Sequence, residues 1–175
     1  MPVLSRLYVS KSGQGDSESR GSSRSRRRGE GPESSFSDTP YTYKYFSPGP
    51  EWFPSPMVPI AVQGPSGEPL TDYALADTGA DSTAFPLDRA IELGVDLEGD
   101  CKKEDVTTAN GVGAQFVYEP GFAAMVEDTQ FGVTAVFTDT PVIVLGQQDF
   151  FARFHASFCS QTETLIIRPY DEDEP

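Results

Sequence analysis

The chain has 175 residues, and its charge is divided unevenly between a basic N-terminal part and an acidic remainder. Residues 1–50 contain 8 Lys or Arg against 5 Asp or Glu, whereas residues 51–175 contain 5 against 22, giving net charges of +3 and −17. The acidic excess argues against nucleic acid as the main partner, because a phosphate backbone selects Lys and Arg. The remaining length of about 120 residues suffices for one hydrophobic core but not for two large lobes.

Few residues are available for metal binding or disulfide formation. The chain has one histidine, His155, and two cysteines, Cys101 and Cys159, without a C-x-x-C pair, which predicts neither a zinc site nor a disulfide framework. Two reduced thiols are the favoured interpretation, with a single disulfide as the alternative. No apolar run approaches the roughly 20 residues of a membrane span, and the N-terminus lacks the apolar region of a secretory signal. We therefore expect a cytoplasmic protein with no metal, no cofactor and no membrane partner.

Composition divides the chain into three predicted parts: an arm at residues 1–50, a folded domain at 51–170 and an acidic tail at 171–175. Ser10–Ser37 consists almost entirely of Ser, Gly, Arg and Glu, which cannot bury enough apolar surface to offset backbone entropy. We therefore expect the arm to be disordered. The basic run Ser25–Arg28 is compatible with a nuclear address, a nucleic-acid contact or an anchor for an acidic surface, and a solvated tail is the favoured interpretation.

Short strands separated by turns are predicted for most of the remaining chain. The aromatic stretch from Tyr41 to Phe53 alternates with polar residues, which indicates a strand or an extended arm packed on the domain. The strands predicted after it are Val58–Gln63, Leu70–Ala76, an extended Ser82–Phe85, Phe116–Tyr118, Phe122–Val126, Phe131–Phe137, Val142–Leu145 and Thr164–Arg168.

Two short helices are predicted between these strands. Pro86 suits the first turn of one helix, and Gly94 suits its end. Its apolar face is predicted to consist of Leu87, Ala90, Ile91 and Leu93. A second helix is predicted after Gly146, with Phe150, Phe151 and Phe154 on one side. The pattern as a whole favours a mostly β, barrel-like domain with one or two short helices.

The segment Tyr73–Asp81 has the sequence YALADTGAD, in which an apolar strand delivers the carboxylate of Asp77 at its end. Small residues in the strand permit close packing, which positions the carboxylate rigidly. The hydroxyl of Thr78 can lock the turn, and Gly79 lets backbone N–H groups approach the carboxylate without an intervening side chain. Asp77 as an ordinary turn residue is the alternative, because Asp and Gly are common turn formers.

The run ALADTGAD at residues 74–81 resembles the active-site motif of retropepsin-like aspartic proteases, the single-domain enzymes typified by retroviral proteases. Asn110-Gly111-Val112-Gly113-Ala114 lies where that family has the tip of its flap, although a plain hairpin turn is the alternative. Val142-Ile143-Val144-Leu145-Gly146 resembles the apolar element that packs behind the family's catalytic loop and precedes a short helix. The similar elements cover residues 57 to 169 in the family's order.

This resemblance implies a closed barrel-like acid-protease fold and an aspartic-type endopeptidase that needs no metal or cofactor. Because the chain has one Asp-Thr-Gly motif, the active site would require a homodimer that contributes Asp77 from each subunit and acts on a peptide or protein substrate. The site residues implied are Asp77 as catalytic; Thr78 and Gly79 as support; Ala80, Asp81, Asn110, Gly111, Val112 and Gly113 as substrate-binding; and Val144, Leu145 and Gly146 as structural residues behind the site.

The sequence also departs from the family pattern. Retroviral members carry Arg after the glycine of the second element, where it pairs with the aspartate that matches Asp81, whereas this chain has Gln147. The brace is therefore either missing or supplied by Arg153. A charged insert at Asp100–Asp105 also separates Asp77 from the flap. The alternative function is a catalytically idle module that binds peptides or dimerises, and a third hypothesis is that the domain trims its own N-terminal segment.

Overall fold

The computed structural model describes residues 40–46, 53–108 and 111–170. These residues are mostly β, with two short helical segments between strands. In chain order the elements are β1 (Tyr41–Thr42), β2 (Lys44–Phe46), β3 (Phe53–Ser55), β4 (Met57–Gln63), β5 (Pro69–Ala76), β6 (Ala84–Pro86), α1 (Arg89–Leu93), β7 (Lys102–Thr108), β8 (Gly111–Val126), β9 (Thr129–Thr138), β10 (Ile143–Leu145), a π-helical turn (Gln147–Phe151), β11 (Phe154–Cys159) and β12 (Thr164–Pro169).

Six strands close into a barrel in the order β4–β5–β10–β6–β9–β8. The ring is completed because β8 also pairs with β4, where Ala61 lies opposite Met125. Strand β7 lies outside the ring and forms a hairpin with β8, while β12 pairs with β1 and β11 in a separate three-stranded sheet. The predicted barrel-like architecture with few short helices is thereby confirmed.

The core lies on one face of the barrel strands and is dominated by aliphatic and aromatic side chains. Val58, Ala74 and Ile143 occupy laterally paired positions on β4, β5 and β10, and all three are buried. Phe85 and Phe137 pair in the same way on β6 and β9. Burying a side chain of this size contributes about 1.5–3 kcal/mol, so these rows stabilise the ring that holds the site.

The strand order also determines which chain segments meet at one edge of the barrel. Strands β5 and β10 are parallel neighbours, with Ala76 opposite Leu145. Their carboxyl ends therefore lie at the same edge, and each is followed by one of the two motifs singled out in the sequence. Asp77 follows β5, and Gly146 follows β10.

The first predicted helix is shorter than expected. Pro86 is the last residue of β6, and α1 begins only at Arg89, although Gly94 ends it as predicted, with a φ of 79°. The predicted apolar face was half wrong, because Leu93 is buried but Ile91 is 84% exposed. A helix of five residues has room for one narrow stripe of contact, and Ala90 and Leu93 fill it.

The second predicted helix is a single π-helical turn, and Phe154 begins β11 instead of lying on that helix. Its aromatic residues nevertheless pack together as expected. The Phe150 ring lies 4.8 Å from that of Phe154 and 5.1 Å from that of Phe151. The contact of Phe150 with Phe154 joins the π-helical turn to the first residue of β11.

Strands form in two regions where the sequence analysis predicted none or left an alternative open. Strands β1 and β2 lie in the aromatic stretch that was predicted to form a strand or an extended arm, and β1 pairs with β12 through Tyr41 and Thr42. Most of the charged insert Asp100–Asp105 belongs to β7, which was not among the predicted strands and which pairs with β8 along its whole length. Backbone pairing in an antiparallel hairpin is compatible with charged side chains that face solvent, and most of the charged side chains of β7 are exposed.

Residues 1–39 and 171–175 lie outside the described residues, so a disordered arm and a solvated acidic tail stay predictions. The remaining gaps comprise residues 47–52 and 109–110. In the part of the chain that is described, no helix has the length and apolar character needed to cross a membrane.

Candidate active site

Asp77 is the first residue after β5, and its backbone continues the pairing with β10. Its N–H donates to the Leu145 carbonyl at 3.2 Å, while the preceding Ala76 N–H donates to the Pro56 carbonyl at 2.9 Å. The carboxylate is therefore delivered from a strand whose neighbours on both sides hold it. The side chain itself is half-buried, so it remains accessible at the barrel edge.

A tight turn follows and is closed by the carboxylate and carbonyl of Asp77. Oδ1 accepts a hydrogen bond from the Gly79 N–H at 2.8 Å, and the carbonyl accepts one from the Ala80 N–H at 3.2 Å. A Cβ on residue 79 would lie 3.2 Å from Oδ1, which explains why glycine suits this position. In the described part of the chain Oδ2 has no hydrogen-bond donor, so it is the oxygen available for chemistry.

Gln147 holds the turn in place from the opposite motif. Its side-chain Nε2 donates to the Thr78 carbonyl at 2.8 Å, and its backbone N–H donates to the Ala80 carbonyl at 2.9 Å. The neighbouring Gln148 N–H donates to the Asp81 carbonyl at 2.9 Å. The question left open by the sequence is thereby answered: an amide, bonded to the main chain, braces this turn without an ion pair.

Arg153 does not supply the missing charge. The ion pairs found within residues 40–46, 53–108 and 111–170 involve neither Arg153 nor Asp81. The backbone carbonyl of Arg153 instead accepts a hydrogen bond from the Tyr170 N–H at 2.9 Å. The Asp81 side chain is exposed and without a cation in the described structure, which distinguishes it from the aspartate of the family pattern.

Gly146 lies directly against the chain that leaves the turn. A Cβ at this position would be 2.5 Å from the carbonyl oxygen of Ser82 and 2.7 Å from its nitrogen. Those atoms belong to the backbone, so no side-chain rotation would relieve the contact. Gly146 thus permits the close approach of the two motifs, and Leu145 before it is buried in the core.

Asp149 lies in the site region, and no structural role was predicted for its side chain from the sequence. Its side chain is 7% exposed, and its two oxygens accept hydrogen bonds from the N–H groups of Thr83 and Thr134, each at 3.0 Å. The carboxylate therefore ties the chain after the Asp77 turn to β9. The sequence contained one signal for this role. Asp149 directly precedes Phe150 and Phe151, and a carboxylate buried in such an apolar context requires hydrogen-bond donors.

Three apolar side chains form a row beside Asp77, here called the apolar row: Leu75, Val144 and Ala84. Val144 is paired laterally with both Leu75 and Ala84, so the three residues lie on one face of neighbouring strands. Since side chains alternate along a strand, Leu75 and Asp77 share that face. All three are half-buried. Val144 was predicted to lie behind the site, and its lateral pairing places it on the same face as Leu75.

The predicted flap residues lie on the hairpin of β7 and β8. Gly111, Val112 and Gly113 pair with Thr108, Thr107 and Val106, and Gly113 is exposed. Asn110 lies outside the described residues. Within the described structure no hydrogen bond joins this hairpin to the Asp77 turn, so the candidate site consists of the turn, Gly146, Gln147 and the apolar row.

Two depressions among the described residues have volumes of about 510 and 310 Å³. The larger is lined by Phe122, Phe131, Arg153 and Tyr170 among others, and neither includes Asp77. The described residues thus present the Asp77 carboxylate beside the apolar row.

A scan against protein-family models and a search of curated proteins found no match to this chain. Within the described residues there is also no group of three or more His, Cys, Asp or Glu side chains arranged to hold a metal ion. The features that bear on function are therefore the turn, the apolar row and the half-buried Asp77.

Proposed function

We propose that the protein is an aspartic-type endopeptidase of the retropepsin-like kind, which hydrolyses peptide bonds as a homodimer. The catalytic groups are two Asp77 carboxylates, one from each subunit. The observation that carries this proposal is the parallel pairing of β5 and β10, which sets the Asp77 turn against Gly146 and Gln147. Two separated sequence motifs thus meet around one accessible carboxylate.

The two-subunit arrangement is proposed because the reaction needs one carboxylate as a base and a second as an acid. Two carboxylates in close contact cannot both ionise cheaply, so the pair shares one proton. The ionised member takes a proton from a water molecule, and the protonated member polarises the scissile carbonyl. Each chain offers one half-buried Asp77 at the barrel edge, so a two-fold axis beside it would supply the second carboxylate.

The remaining groups of the turn serve positioning. The Gly79 N–H fixes Oδ1 of Asp77 at 2.8 Å, which leaves Oδ2 directed to the reacting water. Gln147 and Gln148 hold the main chain of the turn through three hydrogen bonds. The apolar row offers a surface for substrate side chains next to the carboxylate, and its half-buried aliphatic groups would gain burial when a peptide covers them.

The test is cleavage of a mixed peptide library by the purified full chain between pH 4 and 7, with products identified by mass spectrometry. We expect cleavage that Asp77→Asn lowers by about 1,000-fold or more, since acid–base catalysis alone contributes about 10²–10⁴-fold. Circular dichroism and sedimentation of the variant serve as the control for folding and assembly. The substitution keeps the shape of the side chain and an oxygen that can accept the Gly79 hydrogen bond.

Three outcomes would contradict the proposal. Cleavage that survives Asp77→Asn would identify a contaminating protease or a different catalytic group. A folded dimer that binds peptides without cleaving any would favour the alternative of a catalytically idle module. An active enzyme that stays monomeric at every pH would exclude the shared pair and would require a second carboxylate from the same chain, with Asp139 as the first candidate for mutation.

A further inference from the structure

The Asp81 side chain is the unexplained charge of the candidate site. It is exposed, four residues after Asp77, and it forms no hydrogen bond or ion pair in the described structure. Two other carboxylates, by contrast, have partners: Asp72 binds Arg89 at 2.6 Å, and Asp149 accepts two backbone N–H groups. Asp81 therefore presents an uncompensated negative charge at the edge where a substrate would lie.

The main chain of Asp81 is fixed although its side chain is not. Its carbonyl accepts the Gln148 N–H at 2.9 Å, and the next residue, Ser82, donates through its hydroxyl to the Gln148 side chain at 3.4 Å. The side chain of Gln147, beside the turn, donates to the Thr78 carbonyl at 2.8 Å and forms no hydrogen bond with Asp81. A carboxylate on a held backbone is positioned before a ligand arrives, which lowers the cost of binding.

We propose that Asp81 is a specificity-determining residue that selects substrates with a basic side chain, Arg or Lys, near the scissile bond. The inference rests on the proposed function and names its substrate class. The strong acidic excess of residues 51–175, with 5 Lys or Arg against 22 Asp or Glu, acts in the same direction, because a field of one sign raises the local concentration of oppositely charged ligands.

The geometry limits where that side chain would be. The hydrogen bond from Ala80 to Asp77 closes a turn, which places their Cα atoms within about 7 Å of one another. Asp81 follows Ala80 directly, so the Cα atoms of these two residues are about 3.8 Å apart. An extended substrate advances about 3.3 Å per residue, so the carboxylate is in reach of side chains about two to four residues from the cleaved bond.

Symmetry adds a second consequence. In a homodimer with Asp77 of each subunit beside the two-fold axis, the two Asp81 carboxylates flank the catalytic pair at equal distances. The preference for a basic residue therefore holds on both sides of the scissile bond, at matching positions. A single-chain site with one Asp81 would show the preference on one side only.

The experiment starts from a neutral peptide that the full chain cleaves and replaces one residue at a time, on both sides of the bond, with Arg, citrulline or Glu. Citrulline has nearly the shape of Arg without its charge. We expect kcat/KM for the Arg peptide to exceed that for the citrulline peptide by about three- to five-fold at the responding positions, the range for a solvent-accessible ion pair. The ratio should fall when salt is raised, because added ions screen the pair.

Two variants decide whether Asp81 is responsible. Asp81→Asn should bring the ratio of Arg to citrulline close to one while the neutral peptide is still cleaved. Asp128→Asn removes an equal charge from an exposed turn between β8 and β9 and should leave the ratio as in the wild type. A wild-type ratio of one at every position, or a ratio that Asp81→Asn does not change, would overturn the proposal.

Failure of the proposed function is distinguished by a binding measurement. If no peptide is cleaved, fluorescence anisotropy of labelled Arg-containing and citrulline-containing peptides still compares wild type with Asp81→Asn. Tighter binding of the Arg peptide that disappears in the variant would retain the assignment of Asp81 in a peptide-binding protein without turnover. Equal binding of both peptides by wild type would reject it.

Discussion

The turn after β5 and the hairpin of β7 and β8 both carry predicted site residues, yet they are held in place by different interactions. The turn is tied to the opposite motif by backbone and amide hydrogen bonds, and the buried Asp149 lies beneath it. Among the described strands, β7 pairs with β8 alone, and the bond of Lys102 to Glu104 at 2.6 Å lies at the surface of this hairpin.

The difference corresponds to two requirements of the proposed peptide-cleaving site. Catalytic groups need positions held within a fraction of an ångström, and the turn is held by several backbone and amide hydrogen bonds, with the buried bond of Asp149 to Thr83 next to it. A hairpin that covers a substrate must admit and release it, and surface ion pairs contribute little to holding one geometry. We therefore expect substitutions in the turn region to affect both stability and activity, and matched substitutions in the hairpin to leave stability unchanged.

The largest effect is expected for Gly146→Ala, which adds one methyl group where the two motifs meet. Its Cβ would lie 2.5 Å from the Ser82 carbonyl oxygen, so the backbone of one strand must shift. We expect a loss of about 3 kcal/mol in the free energy of unfolding and, in the folded fraction, about 100-fold lower activity through displacement of the Asp77 turn. Urea unfolding and peptide cleavage measure the two quantities.

Gly132→Ala is the matched control, because nothing lies within 4 Å of a Cβ added at that position of β9. The same methyl group there should leave stability unchanged or slightly raised, since Ala loses less conformational freedom on folding than Gly. Wild-type stability and turnover in Gly146→Ala would show that β10 does not lie behind the turn as described.

Asp149→Asn and Glu104→Gln give the direct comparison of the two regions, because each replaces a carboxylate with the amide of the same shape. The introduced asparagine keeps one acceptor but turns an amide N–H toward one of two buried backbone donors, so we expect a loss of about 2 kcal/mol. Glu104 on β7 bonds to exposed Lys102, and its removal should not shift the urea midpoint measurably. Equal effects in the two variants would contradict the contrast between turn and hairpin.

Local patterns in the sequence were sufficient to predict the main strands and the barrel class. Alternation and turn residues located β4, β5 and β9 within one or two residues, because these strands have one face in the core. The Asp77 turn and Gly146 were singled out separately, and the structure places them together. What the sequence does not contain is the lateral register that puts Val144 on the Asp77 side, since a short apolar run is compatible with either face.

The failures have a common physical origin in tertiary contacts. Strand β7 was not predicted, because a charged segment does not show strand pairing in its own pattern and β7 is held by its hydrogen bonds to β8. Ile91 was predicted to lie on a buried face from its helical spacing alone. The spacing does not show that the helix has only five residues, which leaves room for fewer contacts. Asp149 was missed because two of its partners are backbone N–H groups, which no side-chain motif reveals.

The smallest expected effect concerns the far end of β8, opposite the hairpin tip, where the Tyr41 hydroxyl donates to Glu127 at 2.6 Å. Burial, and then the bond to Glu127 and its charge, raise the pKa of Tyr41 well above the usual value of about 10. The folded state therefore retains a proton that the unfolded chain releases, so this contribution is complete below about pH 10 and is lost as pH rises further. Tyr41→Phe should lower the free energy of unfolding by about 1 kcal/mol at pH 7, and stability should then decline less steeply at alkaline pH. Part of the alkaline decline should remain in this variant, because burial also raises the pKa of Tyr43.

Tyr118→Phe is the control, because its ring stacks on Phe122 and its hydroxyl has no hydrogen bond in the described structure. Urea unfolding from pH 7 to 11 measures both variants, and an unchanged alkaline slope in Tyr41→Phe would mean that the Glu127 bond does not anchor this end of the strand.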